Sequence, residues 1–162
     1  MNDQEQDRRK RLLLFGILTV LVMGMIFAFS AQSGEESSGL SQWFLNSRFG
    51  QILLLLLPKL SEKGQGFDLR KYAHMGEFCL LCLVSFPFIR DLFYGQKRSI
   101  IFPLDFLFCF LYACSDEWHQ TFIPQRSGRF TDVLIDCVGI LFGLLLHNIL
   151  WKMQERSKNG DR

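Results

Sequence analysis

LLLFGILTVLVMGMIFAF, running from Leu12 to Phe29, carries no charge and directly follows Arg8-Arg9-Lys10-Arg11. The hydrocarbon core of a bilayer is about 30 Å thick and takes roughly 20 apolar residues of helix to cross. The stretch therefore reads as a membrane span with a basic anchor at its N-terminal end. A secretory leader also begins with a basic region, and Ala28-Phe29-Ser30-Ala31 would serve as its cleavage site. The apolar run is longer than the core of such a leader, which favours a retained first span.

Three further apolar segments extend the pattern. The second span covers 69–89, where Pro87 and then Arg90-Asp91 are expected to stop it. The third covers 100–119 and the fourth 130–151. The expected fold class is all-α: a polytopic helical membrane bundle, one domain over 1–162, with spans at about 12–29, 69–89, 100–119 and 130–151. Between the first two spans lies LSQWFLNSRFGQILLLLLPKL, whose uninterrupted apolar part, Ile52–Leu57, is too short to cross. Arg48 and Pro58 bracket it, so an interfacial or re-entrant helix over about 40–60, on the outer face, is expected.

Charge sets the expected orientation. With both termini cytoplasmic, 11 of the 18 Lys and Arg residues fall inside, and every short internal segment is basic, as the positive-inside rule requires. Tyr94 and Trp151 then lie at the inner interface as aromatic anchors. The net charge of +2 and the absence of a basic stretch interleaved with aromatics argue against nucleic-acid binding. Five cysteines all sit in apolar runs. Cys79 and Cys82 form a lone C-x-x-C with no second pair to complete a zinc set, so small buried helix residues without a disulfide are expected.

Ionisable residues inside spans are costly and point to function. Arg70, His74 and Glu77 share one helical face at the start of the second span, next to Lys71. The apolar part of the third span is too short to cross alone, so its helix must continue through Ser115-Asp116-Glu117-Trp118-His119-Gln120 or draw those residues into the outer leaflet. Asp116, His119 and Gln120 fall on one face, and Arg126 and Arg129 follow in the next loop. Asp132 and Asp136 lie one turn apart on the fourth span, continued by Gly139 and Gly143, whose G-x-x-x-G spacing admits a close neighbouring helix. These clusters all lie at the outer ends of their helices. His74, Glu77, Asp116, Glu117, His119, Asp132 and Asp136 are the candidate acid–base residues, and Arg70, Lys71, Gln120, Arg126 and Arg129 the candidate ligand-binding ones. No metal-ligand signature such as H-E-x-x-H is present, and no metal or cofactor is expected. His147 is expected to be an interfacial residue away from the cluster, and Asp105 a structural partner of Arg90.

The segments FSAQSGEES, KYAHMGEF and SDEWHQTFIPQRSGRFTDVLIDCVGILFG, in that order, resemble the VanZ-like family of bacterial membrane proteins. The similarity is strongest over about Arg70–Gly143. It implies a multi-pass protein of the bacterial cell membrane that affects the envelope or susceptibility to glycopeptides such as teicoplanin. It carries no reaction and no catalytic residues with it. The residues themselves leave open an enzyme, a binder of membrane lipids or a lipid-linked envelope precursor, a structural charge network, and a small transporter subunit. Against the last, the ionisable residues stop in the outer half and no polar stripe crosses the bilayer.

Overall fold

The computed structural model describes residues 3–33, 36, 39, 43, 46–48 and 69–160, with the backbone alone for 69, 70, 154, 155 and 157–160. Among the described residues the structure is helical and has no strand. Helix α1 spans Asp3–Ser30, α2 Leu69–Leu92, α3 Arg98–Gln120 and α4 Phe130–Gly160. Each is long and apolar enough to cross a membrane. The interfacial or re-entrant helix expected over 40–60 lies outside the described residues, apart from the isolated positions named above.

Contacts between helix ends fix an alternating up-and-down order. Arg11, near the start of α1, meets Asp91 at the end of α2. Lys71 and Asp132 meet at the starts of α2 and α4, and Ser30 meets Asp116 at the ends of α1 and α3. Helix α2 is central and packs on all three others, most extensively on α4 and α1. The core between them comprises Ile26, Phe78, Leu81, Cys82, Cys109, Ala113, Val133 and Ile140. The opposite faces are apolar and exposed, as in the α1 stripe Leu13, Leu14, Ile17, Val20 and Leu21. So large an apolar surface is uneconomic in water and natural in lipid.

Two glycines set the closest approach. A Cβ at Gly139 would run into the Met75 carbonyl, and one at Gly143 would lie 2.9 Å from the Cys82 Cβ. The G-x-x-x-G face of α4 therefore rests backbone to backbone on α2. The turn from α2 to α3 reverses through Gly95 at φ +88°, a conformation glycine adopts without steric cost. Beyond α1, the Ser33 N–H and hydroxyl both donate to the Glu36 carboxylate, and the Glu36 N–H donates back to Ser33. This is the reciprocal pattern of a capping box, and the Ser33 backbone and side-chain bonds hold the Glu36 pKa below its ordinary value.

Three sequence expectations are corrected. Pro87 does not stop α2, which continues to Leu92. Proline lacks the N–H that would bond the carbonyl four residues back, here that of Leu83. His147 of α4 supplies the missing donor, with Nε2 3.2 Å from the Leu83 oxygen. His147 is thus a half-buried bundle contact and not simply an interfacial residue, its ring stacked on Phe86 at 4.3 Å. Asp105 is fully buried and does not pair with Arg90. It accepts from Ser85 Oγ at 2.6 Å and from Cys82 Sγ at 3.2 Å, while Arg90 bonds its neighbour Asp91. The five cysteines are free.

Candidate functional site

In the last two turns of α3 the buried residues Asp116, Glu117 and Gln120 bond one another and their neighbours. Asp116, Glu117 and Gln120 are 3, 6 and 7% exposed. The Gln120 amide donates to Asp116 Oδ2 at 2.9 Å and to Glu117 Oε1 at 3.1 Å. Ser30, the last residue of α1, donates to the same Asp116 oxygen at 2.8 Å. Arg126 joins these helices from the loop, donating to the Gln120 side-chain oxygen at 3.3 Å and to the Phe29 carbonyl at 3.2 Å. The Arg129 N–H donates to Glu117 Oε2 at 3.0 Å. That bond needs the loop to lie against α3, and Gly128 permits it. A Cβ at that position would collide with the Glu117 carbonyl and approach Thr121 Cγ2 to 2.8 Å.

Helices α2 and α4 face this assembly. His74 Nδ1 is 3.8 Å from Glu77 Oε2 and 3.9 Å from Asp116 Oδ2, close enough for charge interaction and too long for hydrogen bonds. Lys71 Nζ lies 3.7 Å from Asp132 Oδ1. One turn deeper, Asp136 is 1% exposed. Among the described residues, Asp136 Oδ2, Asp116 Oδ1 and His119 Nδ1 are buried without a hydrogen bond. A buried acceptor left in that state is costly unless something else donates to it.

Between these groups lies a cavity of about 240 Å³. Its wall brings together Lys71, His74, Glu117, Gln120, Arg126, Arg129, Asp132 and Asp136 from among the sequence candidates. Glu77 and Asp116 do not line it and stand behind His74. His119 is not brought in either: its ring packs on Phe27 at 4.4 Å. Arg70 is the second residue of α2, at the same end of the bundle, and its side chain lies outside the description. The wall also contains Gln125, Ser127 and Ile135, which residue-type reasoning passed over. Gln125 sits at φ 61°, a left-handed conformation uncommon for a residue with a Cβ. Ser30 was missed as a partner of Asp116, although it lies within a segment that carried the family resemblance.

Glu77, Asp116, Glu117, Asp132 and Asp136 outnumber Lys71, Arg126 and Arg129 among the described side chains. The cations lie towards the loop and helix starts, and the buried carboxyls lie deeper. Such a graded cavity can hold a group that is anionic at one end and rich in donors at the other. Among the described residues, no group of three or more His, Cys, Asp or Glu is arranged to hold a metal ion.

The chain belongs to the VanZ/LLP1 family, whose sequence model matches residues 15–151. The match reaches all four membrane helices, taking α1 from residue 15 and α4 up to residue 151, and includes every residue of the cavity wall. No curated protein and no solved structure matches the chain.

Proposed function

We propose that this cavity is an outward-facing site for the polar head group of an envelope amphiphile, a lipid-linked sugar phosphate being the chemistry that fits it best. Lys71, Arg126 and Arg129 meet the phosphate, with guanidinium groups matching its oxygens in pairs. Sugar hydroxyls donate to the deeper carboxyls. The observation that carries this reading is one cavity wall that joins Lys71, Arg126 and Arg129 to the carboxyls of Glu117, Asp132 and the deeper Asp136. The outward direction rests on the positive-inside rule, which assigns Arg8–Arg11, Arg90, Lys97, Arg98 and the C-terminal Lys and Arg residues to the cytoplasm. Altered glycopeptide susceptibility is the cellular effect this reading anticipates.

A second reading has its own support. The chain of bonds Ser30–Asp116–Gln120–Arg126–Phe29 ties α1 to α3, which is also what a purely structural network would do. Variants separate the two. Arg126→Lys keeps the charge and loses the fork, and Asp136→Asn keeps the size and changes the acceptor. In the binding reading both weaken capture of a polyprenyl diphosphate-linked sugar by the detergent-solubilised full chain, by about tenfold or more, the scale of one hydrogen bond to a charged group. The melting temperature of Asp136→Asn stays nearly constant, Arg126→Lys being read by binding because it also loosens the α1–α3 tie, and any teicoplanin phenotype in expressing cells is lost. Melting temperature falling in step with binding would leave the network as the whole explanation.

A further inference from the structure

At the opposite end of the bundle we infer a second binding site, for the phosphodiester head group of an anionic phospholipid. Asp91, at the end of α2, is 2% exposed and has both carboxylate oxygens engaged. Oδ2 accepts from Arg11 Nε at 3.0 Å, and Oδ1 accepts from Arg90 Nε at 3.1 Å. Arg8 donates to the Asp91 carbonyl at 3.3 Å, its guanidinium lying 5.0 Å from the Tyr94 ring centroid. Asp91 thus positions three arginines, two through its carboxylate and one through its main-chain carbonyl, and its single charge neutralises only one of them. Arg11 reaches Asp91 through Nε alone, so among the described residues its terminal nitrogens keep their N–H donors.

These donors border a cavity of about 440 Å³ formed by Arg11, Arg90 and Asp91 with Tyr94, Gln96 and Trp151. Its position identifies the ligand. The lipid-facing stripe of α1 begins at Leu13 and Leu14, 65 and 54% exposed, within one turn of Arg11. The cavity therefore opens where hydrocarbon gives way to head groups, and Tyr94 and Trp151 have the amphipathic rings suited to that level. Basic pockets between helices at this depth select anionic lipid heads. The phosphate meets the terminal nitrogens of Arg11 and the charge of Arg90, whose Nη2 stays 3.1 Å from Asp91 Oδ1, and the acyl chains follow α1. A diffuse basic surface would not need a buried carboxylate to hold its arginines in register.

The test is native mass spectrometry of the intact protein in detergent, titrated with phosphatidylglycerol, phosphatidylcholine and soluble glycerophosphoglycerol. One phosphatidylglycerol is expected to be retained well above the other two. Arg11→Gln leaves Asp91 paired with Arg90, so the buried carboxylate is not orphaned. It should weaken retention about tenfold, the scale of one charge-assisted bond. Arg11→Lys keeps the charge without the fork and should give a smaller loss, which serves as the readout if the Gln variant folds poorly. Lys97→Gln removes the same charge from the adjacent turn, outside the cavity, and should change retention less than about twofold. Equal losses in Arg11→Gln and Lys97→Gln would overturn the site in favour of diffuse attraction. Equal retention of the soluble head group would overturn the lipid assignment in favour of a soluble phosphate. The variants lie at the far end from the carboxyl-rich cavity, so this result and that of the proposed function are independent.

Discussion

If His147 replaces the donor that Pro87 lacks, the two residues must be energetically coupled. His147→Phe keeps a ring on Phe86, where the native stack has centroids 4.3 Å apart and planes at 17°, and removes the bond to the Leu83 carbonyl. The orphaned carbonyl then lies inside the bundle, where a lost partner costs about 1–3 kcal/mol. Interhelical bonds in membranes measure lower, about 0.6 to 1.7 kcal/mol, because the unfolded chain in the bilayer also finds partners. Destabilisation of about 1 kcal/mol is therefore expected in the native background. Pro87→Ala restores an N–H at the position from which α2 can bond Leu83 itself. In that background His147→Phe should cost only a few tenths of a kcal/mol, leaving a coupling energy of about 1 kcal/mol in the double-mutant cycle. Reversible unfolding in mixed micelles, followed by circular dichroism, measures all four species. Equal costs in both backgrounds would refute the carbonyl-rescue argument and reduce His147 to a packing residue.

Gly139→Ala forces a methyl against the Met75 backbone, which no rotamer change can relieve, and should destabilise by about 1–3 kcal/mol. Gly24→Ala meets nothing within 4 Å and should be neutral, or stabilising by up to about 1 kcal/mol through helix propensity, when the two are compared by thermal melting. Gln125→Gly relieves a left-handed strain of about 1 kcal/mol, so its melting temperature should hold or rise while head-group binding falls through loss of a wall residue. His119→Gln should affect that binding less than Asp136→Asn does, because His119 packs on Phe27 outside the wall; equal losses by titration would return His119 to the site. Reporter fusions after Arg98 and at the C-terminus should read cytoplasmic and one near Gly64 external, and an external signal at Arg98 would reverse the orientation.

The membrane fold was legible because its signal is local. An apolar run of sufficient length between charge blocks forms a spanning helix whatever its neighbours do, since no other backbone arrangement satisfies itself in lipid. The continuation of α3 through Ser115–Gln120 followed from the same arithmetic of length. Helical spacing likewise placed Asp132 and Asp136 on the face of α4 that Gly139 and Gly143 press against α2.

What spacing could not supply was the identity of the partner across the helix interface. Asp116, His119 and Gln120 share a face by count, yet Asp116 and Gln120 turn to Ser30, Glu117 and Arg126, and His119 turns to Phe27. Pro87 is a stop signal in any local reading, and only a donor from α4 turns it into an interior residue. Asp105 finds Ser85 and Cys82 on the facing turns of α2, whereas Arg90 is taken by the residue beside it. Chain chemistry sets which helices form and which faces are polar. The registry of four packed helices, fixed by backbone contact at Gly139 and Gly143, decides which polar groups meet.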